Sequence, residues 1–529
     1  MVWHILRKDV RLLWAFALAV AAIHVANAAL RCWTGVLQEP HQLVGVAGLL
    51  SLVSVLGIIV LTITVMHQDA VPGVRQDWLI RPIKRGDMIL AKVLFVVLIV
   101  QIPLLLADLG EGLMEGFGLP LSLEAAAGRN FAVLCYFSLP ALMFGAVTRN
   151  IVECFIVAVI GLIVYVTIFV GYMVMVLGIK TSVGGTGLQW VFAATWYTLA
   201  LAGAALVISL QYLRRRTNLA RGIIGAGGAI VVLSSFLPWH TAFALQQGLS
   251  KEPSAANAIV LAFNPLLGRF QLPSGAAAAT SAALYLPLRV TGVPAAAVML
   301  TDRANVRITD ISGRTLYEGR SNLSVDGVGS IQDARLEVRQ SASSDTAAEV
   351  YQRIFVPAAV YAKLSNEPVS LQIDYSMTLL RTKGELSIPA VGGHAKLGNL
   401  GWCATRIDGE GDDVQLHCMD TRRGPSCFTA ILEHRPSGLR NPEAHVCYPD
   451  YTPFDANVWP EALSRFAGEV PFFDRSGLIH YPVDGTKLAD ARLIIETYEP
   501  RDHFTRQLSI PNIRLSDFAG PITASNVQR

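Results

Sequence analysis

Cys403, Cys418, Cys427 and Cys447 share one stretch of the chain with His394, His417, His434 and His445. Such residues can ligate zinc, close disulfides or do acid–base chemistry. Structural zinc sites draw ligands from closely spaced pairs, and no C-x-x-C knuckle occurs here. An even number of cysteines in an exported domain suits disulfides instead. Trp402–Ile407 and residues 414–419 read as strands about the turn 408–413. A symmetric hairpin sets Cys403 opposite Cys418, with Cα atoms about 4.5–5.5 Å apart, within bridging reach. We expect a Cys403–Cys418 bridge and, by elimination, Cys427–Cys447. A four-Cys zinc site and four unlinked thiols are the alternatives.

Catalytic signatures are missing. The sequence has no H-E-x-x-H, no G-x-S-x-G and no G-x-x-x-x-G-K-[ST]. The histidines are more simply surface or structural groups than members of a catalytic set. No metal or other cofactor is expected. With no P-loop, any ATP-driven work needs a separate ATPase subunit.

The composition says where these residues sit. Of 529 residues, 52% are hydrophobic and only 16% charged, with a mean hydropathy of +0.44. Ordinary soluble domains carry about 25% charged residues. A net charge of +3 is too small to indicate nucleic-acid binding. Residues 1–250 hold sixteen Lys/Arg against ten Asp/Glu, whereas the remainder is acidic by three. We expect an α-helical polytopic membrane domain (1–240), a linker or irregular segment (241–282) and a mainly β, sandwich-like soluble domain (283–529).

About 20 apolar residues cross a bilayer core as one helix. Seven stretches qualify: 12–31, 43–66, 88–109, 130–148, 151–178, 189–212 and the glycine-rich 222–240, where close helix packing explains Gly222, Gly225, Gly227 and Gly228. Twelve Lys/Arg fall in one set of connections and three (Arg31, Arg129, Lys180) in the other. Positive loops stay cytoplasmic. The N-terminus is then inside and the C-terminal domain outside a cell (inner) membrane. Residues 1–28 also have the form of a signal peptide, but the apolar run continues to Leu30 and more spans follow. Trp3, Leu6, Val10 and Leu13 share a helical face, giving either a short interfacial helix before the first span or its charged flank.

Within the spans, His24 and Asn27 line a path or bond a neighbouring helix. Asp108 is expected wet, near the headgroups, and Glu153 is expected to pair with Arg149. Polar residues look too sparse for a proton relay or ion filter, which favours an apolar or amphipathic cargo.

The loop after the second span is longer than orientation requires. Residues 74–80 can form two helical turns ending before Pro82. Asp77 can pair with Arg81, and Trp78 can anchor at the interface. Here WLIRPIKRGDMILAK (78–92), with ILRKDVRLLW (5–14), resembles ABC-2-type transporter permeases over about residues 1–216. The resemblance implies an N-terminal amphipathic helix and a tight turn at Thr148-Arg149-Asn150 between spans four and five. It also implies a coupling helix in the 70–87 loop that docks on a separate cytoplasmic ABC ATPase. Asp77, Trp78, Arg81 and Arg85 are the expected docking residues. Membrane lipids and a second permease, in a homo- or heterodimer, are the other implied partners. The family's core has six spans with both ends inside, so the seventh span and exported domain are departures.

In the second half, strands are expected at 306–311, 314–319, 334–340, 369–379, 385–388, the two cysteine strands, 428–434, 492–497 and 506–510. Small helices are expected at Ala358–Leu364 and 459–466. The function expected is the permease subunit of an ATP-driven exporter. The alternative is a membrane-anchored sensor or assembly protein whose exported β domain binds a partner.

Overall fold

The computed structural model describes residues 1–34, 41–69, 84–172, 189–234, 239–250, 252–267, 281–294, 297–320, 337–339, 348–396, 401–407, 414–420, 426–434, 439–440, 444–448, 473–474, 488 and 490–519. Helices come first: α1 (Val2–Thr34), α2 (His41–His67), α3 (Arg85–Phe95), α4 (Ile102–Met114), α5 (Leu119–Val133), α6 (Leu139–Val147), α7 (Ile151–Tyr172), α8 (Gln189–Arg214), α9 (Thr217–Ser234) and α10 (Trp239–Gly248). A π turn at Val96–Gln101 joins α3 to α4, and another at Leu134–Ser138 joins α5 to α6. Among the described residues, seven helical stretches are long and apolar enough to cross a bilayer, one for each expected span. The chain is a multi-pass membrane protein.

Some details differ from expectation. The N-terminal segment is no separate interfacial helix. No Gly or Pro interrupts residues 2–34, so one helix runs throughout. Ile5, Leu6, Leu13 and Val20 are buried in the bundle while Trp3 and Trp14 face outward, which builds the signal-like stretch into the fold. The seventh span starts at Thr217 rather than 222. Among the described residues its glycines meet no close neighbour: a Cβ at Gly222, Gly225, Gly227 or Gly228 would meet nothing within 4 Å. Helix α1 does approach α2 closely at Gly57, where an added Cβ would lie 2.8 Å from Val20.

The β region runs β1 (Val260–Phe263), β2 (Ser281–Thr291), β3 (Ala297–Thr309), β4 (Thr315–Arg320), β5 (Glu337–Arg339), β6 (Ala348–Pro357), helix α11 (Ala358–Leu364), β7 (Val369–Pro389), β8 (His394–Lys396), β9 (Trp402–Ile407), β10 (Val414–Asp420), β11 (Ser426–His434), β12 (Leu439–Arg440), β13 (Ala444–Tyr448), β14 (Phe473–Asp474) and β15 (Ala491–Ile513). The strands form antiparallel sheets ordered β1-β2-β6, β14-β10-β9-β8 and β12-β11-β15-β7-β3-β4. One core packs Leu284, Leu286 and Leu288 of β2 with Leu371, Ile373 and Leu508 of the largest sheet. A second packs Ile388, Leu493 and Ile495 with Cys403, Leu416 and Cys418. A helical membrane domain is thus followed by a sandwich-like β domain. Pairing of β1 with β2 brings residues 260–263 of the expected linker into it.

Two pairs of expected strands are single long ones. Residues 369–379 and 385–388 belong to β7, and 492–497 and 506–510 to β15. The polar stretches between them, which read as turns, pair with each other through register shifts at Thr497/Tyr498 and Pro500/Asp502. Bulges bend a ladder without ending it. Helix α11 matches its expected range, and the expected helix at 459–466 lies outside the described residues.

Cys403 and Cys418 oppose each other in the β9–β10 register and are disulfide-bonded. Cys427 stands opposite Cys447 across β11 and β13, the register a second bridge needs. Non-reducing peptide mapping should therefore recover 403–418 and 427–447 as linked peptides, with Cys32, Cys135 and Cys154 free to alkylate. A Cys403→Ala/Cys418→Ala variant, which reopens a loop with a sequence separation of 15, should lose about 3 kcal/mol of β-domain stability in denaturant titration.

Candidate functional site

Among the described residues the bundle carries two buried charge networks, one at each end. The first lies among the basic turns. Lys92 of α3 is buried. Its Nζ donates to Asp9 Oδ2 of α1 at 2.8 Å and lies 2.6 Å from Asp69 Oδ2, just beyond α2. Lys8 Nζ donates to Asp69 Oδ1 at 3.0 Å and lies 3.3 Å from Asp9 Oδ1. Two lysines and two aspartates balance, as burial of charge requires. Burial pushes Asp69 up, but Lys92 and Lys8 outweigh it and hold the carboxyl below the usual range.

Asp69 is also the last described residue before the 70–83 segment. Asp77, Trp78 and Arg81, three of the expected docking residues, fall within that segment, outside the described residues. Arg85, the fourth, opens α3 beyond it. Its Nη1 donates to the Leu213 carbonyl of α8 at 2.7 Å. Both roots of the loop are therefore fastened to the bundle, one through Asp69 to α1 and α3, the other through Arg85 to α8.

The Thr148-Arg149-Asn150 turn lies at the same end, and its ion pairing differs from expectation. Glu153 pairs with Arg221 of α9 at 3.0 Å, while Arg149 reaches Glu153 only through its backbone N–H, at 2.8 Å. The acceptor near a helix N-terminus is satisfied by main chain, which frees the carboxylate's other oxygen for a cation on a neighbouring span. Arg221 also donates to the Val147 carbonyl at 2.9 Å.

The second network corrects another expectation. Asp108 is not wet: it is buried and paired with Arg129 of α5, with Arg31 of α1 at 3.7 Å. Arg31 Nη2 donates to Glu111 Oε2 at 2.5 Å. Arg31 and Arg129 are thus not loop cations. Each neutralises a carboxylate on α4, and unpaired burial is the state this avoids. Nearby, Asn27 donates to Ser51 at 2.7 Å and the Ser54 hydroxyl bonds the His24 ring. These residues tie α1 to α2, the second of their two expected roles.

Between the networks, the π turns face each other. Gln101 donates to Ser138 at 2.8 Å. Asn130 Nδ2 reaches the Gln101 carbonyl at 2.7 Å, and Trp196 Nε1 reaches the Cys135 carbonyl at 2.9 Å. A π turn followed by proline frees backbone carbonyls, and in lipid these need side-chain donors. Polar residues in the membrane domain are therefore more numerous than the sequence alone suggests. Asp9, Asp69, Lys92, Glu111 and the roles of both arginines were missed. Helical spacing held the signal: Asp9 shares a face with Ile5 and Leu13, and Asp108 and Glu111 share one on α4 that Glu115, just past its end, continues.

The β domain sits at the end of the bundle opposite the basic turns. Trp402 N donates to the Glu115 carbonyl at 2.9 Å, and Met419 packs with Phe117. On the other side, α10 leads to Ser250, whose hydroxyl accepts from His503 N at 2.9 Å. No model of a known protein family matches the chain, and no curated protein is similar to it in sequence.

Because Lys92 is 2% exposed and Lys8 42%, the two should respond differently to neutralisation. Lys92→Met, which leaves two carboxylates with the half-exposed Lys8 as their one remaining cation, should cost about 3 kcal/mol, and Lys8→Met about 1 kcal/mol or less. Thermal unfolding in detergent checks both. Burial lowers His503 below the usual 6.5, with Asp502 opposing. The unfolded state then takes up the proton first, so the α10–β15 contact is at full strength above about 6.5 and weakens as pH falls towards the depressed folded value. Hydrogen exchange of β15, corrected for intrinsic rates, should accelerate between pH 7.5 and 5.5, and His503→Gln should abolish that change.

Proposed function

We propose that the chain is the permease subunit of an ATP-driven exporter of the ABC-2 type. On this reading the basic turns face the cytoplasm and the β domain lies outside. A separate ATPase docks on the 70–87 loop through Asp77, Trp78, Arg81 and Arg85. The observation that carries the reading is the fastening of that loop at both roots. A force applied to it by the ATPase passes through Asp69 to α1 and α3 and through Arg85 to α8. Nucleotide then biases the bundle by binding one of its states better than the other. The cargo is apolar or amphipathic on this reading: the outward faces of the spans are apolar, while charged groups lie at both ends of the bundle interior.

Seven spans are more than a tethered sensor needs. The sensor reading remains the rival that the same experiment removes or installs. Affinity purification of the full chain should bring down a P-loop ATPase. Replacing residues 74–81 with Gly/Ser should abolish cargo-stimulated ATP hydrolysis in proteoliposomes while leaving the thermal transition in place. Full stimulation with the replaced loop would take the loop out of the mechanism, and a chain that purifies with no ATPase would favour the sensor.

A further inference from the structure

We propose that Arg31, Asp108, Glu111 and Arg129 are the gate at the β-domain end of the membrane domain, and that the disulfide-stapled β9–β10 hairpin is the latch that holds it shut. The inference rests on reading the membrane domain as a passage, and adds to it the residues that close one end.

The gate follows from where the four charges come from. Arg31 ends α1, Asp108 and Glu111 lie on α4, and Arg129 lies on α5. Asp108, Glu111 and Arg129 are buried, and the Arg31 side chain is only 13% exposed. Parting α1 from α4 breaks the Arg31 pairs with Asp108 and Glu111, and parting α4 from α5 breaks the Arg129–Asp108 pair. In an apolar surround a broken pair leaves charges without partners, so the closed state is favoured until water enters between the helices.

The latch follows from what covers the α4–α5 turn. Glu115 is one helical turn beyond Glu111, and its carbonyl accepts from Trp402 N at 2.9 Å. Gly116 has φ +89°, a left-handed conformation that glycine adopts without strain. A Cβ there would lie 2.7 Å from the Trp402 indole. Gly401 makes the reciprocal approach: its Cβ would lie 2.7 Å from both the Phe117 ring and the Glu115 carbonyl. Phe117 and Met419 are buried against each other, with Leu121 and Ala125 beside them. The flanking Cys403–Cys418 bridge fixes Trp402 and Met419 on adjacent strands of one rigid hairpin. The hairpin thereby holds the turn that holds Glu111.

Cys32, next to Arg31 and free, reports whether the gate is open. The experiment uses the full chain in nanodiscs, a membrane-impermeant maleimide and site-resolved mass spectrometry, with Cys135 and Cys154 as internal controls. Gly401→Val should free the hairpin, seen as faster hydrogen exchange at 401–407, and raise the Cys32 labelling rate about tenfold, the change expected for a modest loss of closing free energy. Glu111→Gln, which keeps the shape and drops the charge, should raise it with the hairpin still docked. Arg31→Glu combined with Glu111→Arg should restore slow labelling. A freed hairpin with unchanged Cys32 labelling would overturn the latch. Unchanged labelling in Glu111→Gln would overturn the gate, and a hairpin that stays docked in Gly401→Val would remove the close approach on which the argument stands. None of these measurements needs an ATPase, so they can fail while the exporter reading stands, or succeed while it falls.

Discussion

Hydrocarbon cannot solvate a charge, so an ionised side chain inside the bundle must find its counter-charge on another helix. That requirement decides which helices are neighbours here more sharply than apolar packing does, because lipid is as good a partner for leucine as another helix is. Helix α1 is the member common to both networks. Asp9 meets Lys92 near its start and Arg31 meets Glu111 near its end. At 1.5 Å per residue the two lie about 33 Å apart, close to the thickness of a bilayer's hydrocarbon core. Each network thus falls near an interface, where water is within reach of its outer member and the cost of burying charge is least.

The π turns give this arrangement a division of labour. Lys92 on α3 belongs to the network among the basic turns. Asp108 and Glu111 on α4 belong to the other, with a π turn between the two helices. The fourth span is divided likewise, with Arg129 on α5 and Thr148 closing α6. A helix interrupted by a π turn and proline can bend there with less loss than a regular helix, since its ladder is already open. The donors from Asn130 and Trp196 hold the opened carbonyls. Helix α1, by contrast, runs unbroken from one network to the other, so bending at the π turns is bending against a straight neighbour.

The number and approximate positions of the spans were legible because apolar runs of this length have few other uses. The Cys403–Cys418 bridge was legible because a two-residue strand period and a symmetric turn determine which residues oppose. The charge pairs were not. Arg31 sits near the end of α1 and Arg129 one residue before the expected fourth span, where sequence alone cannot distinguish a loop cation from an interior one. Asp108 was placed in water for the same reason. Pairing between positions 80 or 83 residues apart, as in Arg31–Glu111 and Asp9–Lys92, is set by helix rotation, which no local pattern states. The long β strands were cut because Tyr498-Glu-Pro-Arg-Asp502 has the composition of a turn. A stretch of that kind becomes a bulge when the opposite strand bends with it.

That bulge also explains how the β domain is held. The register between β7 and β15 passes from Pro500 to Asp502, skipping Arg501, and the Arg501 carbonyl accepts from Glu252 N at 3.2 Å. Asp502 accepts from Ala256 N at 3.2 Å, and Ser250 bonds the backbone of His503. The backbone groups a regular ladder would have consumed are thus turned towards the segment that follows α10. Together with the hairpin on the α4–α5 turn, this makes two attachments, one covalently continuous with the last span and one not. A single attachment would leave the domain free to swing about the chain. Two, on different helices, oppose that swing, because the sheet is tied both to the α4–α5 turn and to the segment after α10.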